Sequence, residues 1–241
     1  MNPTQPPFAK DRQTWAVCFD DPLPYLETQA LQERLLAARI ADVIPDTLLL
    51  LEHRPVVTLG RRGRDHYLLQ DQEMLRRAGV DVVTSTRGGD VTFHGPGQCV
   101  VYPIVSVNDL ATGSAGYLSM LEDWAIATLN AYNVHAFRRD GMAGAWTDRG
   151  KAAAIGFRLK RWVSYHGMSL NVDLDLSGFD PIVGCGLEGE KVSSLKQHLG
   201  KNCPTVADVE ETMLSIFEAL NQREIERFSP DQVPNELGAL L

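Results

Sequence analysis

GAWTDRGKAAAIGFRLKRWVSYHGMSLNV, running from Gly144 to Val172, carries most of the topological information in this chain. Its β-rich runs are Ala145 to Thr147, Ala152 to Leu159, Val163 to Tyr165 and Leu170 to Val172, joined by turns such as Asp148-Arg149-Gly150. A parallel crossover needs about a dozen residues or more, so connections this short predict an antiparallel meander. One run opens with unusually small side chains, Lys151-Ala152-Ala153-Ala154-Ile155-Gly156. Alanine and glycine pack poorly in strands and are depleted there. Such a run predicts space kept for another group, such as an alkyl chain, with Lys151 at its mouth. An ordinary solvated lysine at a strand end is the competing reading.

The flanking sequence mixes both element types. Tyr25 to Ala41, Tyr117 to Tyr132 and Val206 to Asn221 have the apolar spacing of amphipathic helices. Trp15 to Phe19, Thr47 to Leu51, Val56 to Leu59, Val80 to Thr84, Val91 to Phe93 and Cys99 to Val105 read as strands. At 241 residues and 44% apolar content, the chain suits one domain with a sizeable core. We place that domain at residues 14–228. Residues 1–13, with Pro3, Pro6 and Pro7, read as a flexible extension, and residues 229–241, with Pro230 and Pro234, as a tail.

Composition narrows the function classes. No stretch approaches the ~18 consecutive apolar residues of a membrane span, and the start lacks the basic-then-apolar order of a signal peptide. The expectation is a soluble cytoplasmic protein without membrane partners. A net charge of -8 argues against a nucleic-acid binder, which needs clustered positive charge. Cys18, Cys99, Cys185 and Cys203 are too few and scattered for a disulfide framework and form no Cys-x-x-Cys pair, so they read as free thiols rather than metal ligands.

Two further segments have chemistry that is unusual for structure alone. Arg87-Gly88-Gly89-Asp90-Val91-Thr92-Phe93-His94-Gly95-Pro96-Gly97-Gln98 surrounds one short strand with four glycines, which suits exposed amides beside a ligand and equally suits two tight turns. It leads into a strand, whereas phosphate-binding loops lead into a helix. Gly184-Cys185-Gly186 leaves a thiol unshielded by neighbouring side chains, as attack on a thioester carbonyl requires. Most free cysteines are instead buried small hydrophobes, and Cys18 and Cys99 fit that description. His53, His94 and His166 leave a Cys-His dyad open.

Taken together, these segments resemble the lipoyl(octanoyl) transferase family. The likeness is carried by Arg87-Gly88-Gly89 through Gln98, Lys151 with Ala154-Ile155-Gly156, His166-Gly167-Met168-Ser169-Leu170-Asn171-Val172 and Cys185-Gly186-Leu187, in that order. Leu51-Glu52-His53-Arg54-Pro55 and Val192-Ser193-Ser194-Leu195 extend it to roughly residues 15–220. The resemblance implies an α+β fold, a mixed and largely antiparallel sheet with packed helices, like the class II synthetase-like domain of biotin and lipoate protein ligases. It implies an acyltransferase that moves octanoyl from acyl carrier protein to the lysine of lipoyl domains, in 2-oxoacid dehydrogenase complexes and the glycine cleavage H protein. Cys185 would be the acylated residue and Lys151 its partner, with no cofactor and no metal.

By the same resemblance Arg87, Gly88, Gly89, Asp90, Val91, Thr92, Phe93, His94, Ala154, Ile155, Gly156, Gly167, Met168 and Ser169 would contact the acyl substrate. Phe93 stands where the family often has tyrosine, Met168-Ser169 where it has Leu-Ala, and Gly184 where a proline precedes the cysteine. Because the family's protein partners are acidic, a local basic surface is expected from Arg61, Arg62, Arg64, Arg138, Arg139 and Arg149. The alternatives are an ATP-dependent lipoate- or biotin-type ligase and a Cys-His thioesterase.

A magnitude bears on Lys151. Lowering a thiol pKa from ~8.5 to ~7 raises the thiolate fraction at pH 7 from about 3% to about 50%. Nucleophilicity falls with it, and a Brønsted slope of ~0.45 leaves a net gain of only about threefold. Charge alone is too weak an activation, so the expectation is that Lys151 chiefly moves protons.

Overall fold

The computed structural model describes residues 13–63, 67–111, 113–183 and 191–241. The elements are β1 (Thr14–Cys18), α1 (Tyr25–Ile40), β2 (Asp46–Leu51), β3 (Val56–Leu59), α2 (Gln72–Arg77), β4 (Asp81–Thr84), β5 (Val91–His94), β6 (Gln98–Ile104), α3 (Gly113–Ala131), β7 (Phe137–Arg139), β8 (Met142–Thr147), β9 (Gly150–Lys160), β10 (Val163–Asn171), α4 (Leu195–Leu199), α5 (Val206–Asn221), β11 (Ile225–Phe228) and α6 (Asn235–Gly238). Eight strands form one sheet in the order β11-β1-β2-β6-β10-β9-β8-β7, and β4-β3-β5 form a second. Pairing is parallel for β1 with β2 and β11 and for β3 with β4; all other strand pairs are antiparallel, among them β8-β9-β10, the meander expected from Gly144 onward.

Sequence explains the layering. In β2 and β6 every residue is buried, so their near-continuous apolar runs can lie mid-sheet with both faces covered. One face packs on α3 and α5 through Trp124, Phe217 and Met213, and the other on α1 through Leu31, Leu35 and Leu36. The small sheet has its own core, with Val57, Leu59, Val91 and Phe93. Helix α5 starts at a capping box, in which Thr205 and Asp208 each bond the other's backbone amide. Buried Asp46 joins α1 to the far end of the chain, accepting from Arg39 Nε at 2.6 Å and pairing with Arg223.

Two sequence expectations differ from the coordinates. The break expected between Val163–Tyr165 and Leu170–Val172 is absent: β10 runs unbroken through His166, which holds a φ of 55° and donates its backbone N–H to Gln32 Oε1 at 2.7 Å. Residues 229–241, read as a tail, pack against α1. There Leu237 is fully buried and Leu240 O accepts from Arg34 Nε. Among the described residues no helix is long and apolar enough to cross a membrane.

Candidate active site

The turn between β4 and β5 bridges the two sheets. Arg87 is buried, and its guanidinium fork holds the turn in shape. Nε and Nη2 donate to Thr58 Oγ1 at 3.0 and 2.8 Å, Nη2 also to Thr58 O and Asp90 O, and Nη1 to Gly88 O. The turn lies directly on β9. A Cβ on Gly88 would fall 2.9 Å from Phe157 O, and one on Gly156 would fall 2.8 Å from Gly88 O. The Gly88 N–H donates to Phe157 O at 3.3 Å, so these two glycines serve the meeting of two backbones. Gly89, with φ of 85°, makes the turn itself.

Between turn and sheet lies a cavity of about 330 Å³, within the ~300–1,000 Å³ usual for small-ligand pockets. Arg87, Gly89, Asp90, Val91, Thr92 and His94 form one wall. Ala154, Ile155 and Gly156 of β9 and Gly167, Met168 and Ser169 of β10 form another, with Lys151 beside them. Two expected residues do not line it. Strand alternation turns Phe93 away from Thr92 and His94, into the small core against Phe179 and beside Gly95 and Gly178. Gly88 faces a neighbouring open groove of about 480 Å³, which shares Arg62, Gly89, Ala143, Ile155 and Gly156 with the cavity and adds Arg61, Leu118 and Phe157.

Lys151 is buried, at 8% exposure, although it is only the second residue of β9. Its N–H donates to Lys191 O at 2.8 Å, and its carbonyl accepts from Ser193 N at 2.9 Å. The side chain runs over Gly144, where a Cβ would meet Lys151 Cε at 2.6 Å. Nζ stands 5.3 Å from the Trp146 ring centroid, and Arg139 Cζ stands 4.5 Å from the same ring. Gly184, Cys185, Gly186 and Leu187 lie outside the described residues. The chain before them is held by Val183 N donating to Tyr67 O at 2.8 Å, and the chain after them by Lys191 on Lys151.

His53, His94 and His166 are buried and structurally engaged. Burial pushes His53 down to about 4 and His166 down to about 3, and holds His94 well below the usual value, with repulsion from Arg87 adding to the last two. His53 Nδ1 meets Leu23 O at 3.0 Å and so carries the hydrogen, leaving Nε2 to accept from Tyr102 Oη at 2.7 Å. Gln98 Nε2 donates to Phe93 O and Asn171 Oδ1, which turns its Oε1 toward His94 Nδ1 at 2.7 Å. His166 Nε2 bonds Thr86 Oγ1 at 2.9 Å. Among the described residues these three imidazoles are held in their neutral form.

The expected basic residues divide. Arg61 and Arg62 rim the groove, with Arg62 3.2 Å from Asp90. Arg138 pairs with Glu122 and Asp123, Arg149 donates to Gln197 O, and Arg139 sits over Trp146. Arg64 lies outside the described residues. Sequence reasoning missed Trp146, Tyr102 and the Gly141–Met142–Ala143 edge of the cavity. The turn Asp148-Arg149 was a usable signal for Trp146, because so tight a hairpin sets Trp146 opposite Lys151.

Comparison with known proteins agrees with this architecture. Residues 24–218 match the family model described as lipoyl protein ligase A/B catalytic domain. A protein of Syntrophobacter fumaroxidans named octanoyltransferase is 44% identical over 180 residues, 75% of this chain and 79% of the relative. One of the same name from Syntrophotalea carbinolica is 43% identical over 198 residues, 82% and 90% of the two chains. Among solved structures, a bipartite lipoate protein ligase of Thermoplasma acidophilum superposes with a TM-score of 0.68 at 11% identity, over 94% of this chain and 90% of that one, which shows the shared fold.

Proposed function

The chain belongs to the octanoyltransferase family and is an acyltransferase, and on that premise we propose that it carries octanoyl as a thioester on Cys185 from acyl carrier protein to a lipoyl-domain lysine. The observation that supports this reading best is the cavity with Lys151 in its wall, lined along β9 by Ala154 and Gly156, where an alkyl chain fits against small side chains. Cys185 stands six positions before Lys191, whose backbone is bonded to Lys151, so chain length alone keeps its Cα within ~20 Å of that anchor.

The chemistry has two steps. Cys185 Sγ attacks the donor carbonyl, the carrier thiol departs with a proton, and an acyl-cysteine remains at nearly equal energy. The acceptor amine then attacks, an amide forms, and the Cys185 thiol is restored. The acceptor ammonium, with an ordinary pKa of ~10.4, must lose a proton first, and Lys151 is the group we assign to move it. The substrate contacts follow the cavity wall: Arg87, Gly89, Asp90, Val91, Thr92, His94, Ala154, Ile155, Gly156, Gly167, Met168 and Ser169. The lipoyl domains of 2-oxoacid dehydrogenase complexes and the glycine cleavage H protein are the proposed acceptors, and the cytoplasm the proposed compartment. Arg61 and Arg62 favour approach of an acidic carrier along the open groove.

The test is intact-mass measurement after incubation with octanoyl carrier protein in the absence of ATP. One octanoyl group mapped to Cys185, transferable to a lipoyl domain and lost in Cys185→Ser, is the expected result. An absolute need for ATP would identify a ligase instead, and release of free octanoate without amide formation a thioesterase.

A further inference from the structure

The ring that Lys151 Nζ stands over belongs to no motif in the sequence. Trp146 is 1% exposed, stands opposite Lys151 in the β8–β9 register next to a bulge, and is fixed in its plane by Nε1 donating to Met142 O at 2.9 Å. Two cations address this one indole: Lys151 Nζ at 5.3 Å and Arg139 Cζ at 4.5 Å from its centroid. Gly144 makes the approach feasible by leaving the space that Lys151 Cε occupies.

We propose that Trp146 is the positioning residue of Lys151, its indole face holding the side-chain nitrogen beside the cavity and favouring the ammonium over the free amine. The inference rests on the reading above, in which Lys151 moves protons. The ring quadrupole attracts an ammonium and gains little from a neutral amine, so the contact opposes proton loss. It therefore sets both where Nζ rests and when it releases its proton.

Other charges surround the pair. Arg139 on β7 shares the ring and repels Lys151. Glu122 on α3 accepts from Gly144 N at 3.1 Å and is paired with Arg138. Arg62, Arg87, Asp90 and the neutral His94 face the same cavity, and Lys191 follows along the backbone. Against that background the two groups on the indole act with opposite sign. Removing the π face weakens retention of the Lys151 proton, and removing Arg139 strengthens it.

Side-chain nitrogen NMR on the full chain tests this without turnover, the Lys151 signal being assigned by its absence in Lys151→Arg. The pH–rate profile of acyl transfer is measured in parallel. In Trp146→Leu the Nζ titration midpoint is expected to fall by about half to one pH unit. In Trp146→Phe it stays near wild type, and in Arg139→Gln it rises. The Lys151-dependent limb of the pH–rate profile follows each shift. Arg139 is half-buried at a strand near the sheet edge, so its variant provides the second reading if Trp146→Leu does not fold. Midpoints that stay at the wild-type value in the folded variants overturn the proposal. Transfer that survives Lys151→Arg while the midpoints shift would instead remove the proton-shuttle reading and leave the contact standing.

Discussion

A single methyl group separates glycine from alanine at position 144, and β8 has no room for it. The added carbon would fall 2.3 Å from Ala153 O and 2.6 Å from Lys151 Cε, at a φ of 129° that side chains rarely adopt. Gly144→Ala is expected to cost about 2–4 kcal/mol and to lower kcat/KM for octanoyl transfer at least about tenfold, because the lysine must move out of its slot. Gly79 is the control, with φ of 80° but no heavy atom within 4 Å of a built Cβ. Gly79→Ala should cost only about 1 kcal/mol and leave transfer untouched. Urea midpoints and initial rates of both variants check the contrast, and equal loss of activity in the two would refute the steric argument. At this scale the sequence was informative about type but not about neighbour. It marked Lys151 by the small residues after it, whereas Trp146 became visible only once the hairpin was folded.

The clamp that Arg87 places on the β4–β5 turn is a property of the element. Five hydrogen bonds from one planar guanidinium reach Thr58, Gly88 and Asp90, tying the turn to β3 while its glycines rest on β9. A lysine carries the same charge on one nitrogen and cannot reproduce the fork. Arg87→Lys is expected to cost about 2 kcal/mol and to raise KM for the acyl donor several-fold by loosening one cavity wall. Steady-state kinetics with a thermal melt check it; an unchanged KM would detach the turn from substrate binding. Element identity was legible wherever one face is apolar: Val56–Leu59 and Val206–Asn221 stand where periodicity puts them. It failed for β7 and β11, the two outermost strands of the large sheet, whose Arg138, Arg139, Glu226 and Arg227 hide the alternation. Charge on edge strands blocks edge-to-edge association and erases the strand signal at the same time. Partner choice was also unreadable, since β5 and β6 are separated only by Gly95-Pro96-Gly97 yet join different sheets.

At the scale of the whole molecule, burial of ionisable groups couples folding to pH. His53, with a pKa near 4, and His166, near 3, titrate in the fold well below the ~6.5 of an unfolded chain, and His94 is displaced in the same direction. The unfolded chain therefore binds more protons than the fold from about pH 6.5 down to about 3, so stability rises with pH across that window and is lost as pH falls through it. Glu210 works in the opposite sense. Burial first, then repulsion by Glu52 and Asp20, pushes it up to about 7. Its contribution is complete below about 4.5 and fades as pH rises toward 7. Three histidines against one carboxyl predict a melting temperature that drops by several degrees or more between pH 6.5 and 4.5. His53→Gln, which keeps a hydrogen-bonding group for Tyr102 but cannot be protonated, should make that drop shallower. Glu210→Gln should remove the decline between pH 5 and 7 and leave the acid limb in place. Calorimetric scans across pH decide both, and an acid limb equally steep with and without His53 would show that the coupling lies elsewhere. The histidines occupy the layer between α1 and the cavity, so the protonation that loosens the fold also strikes the wall against which the acyl chain is proposed to lie, and transfer should fail at or above the pH where the melt begins to fall.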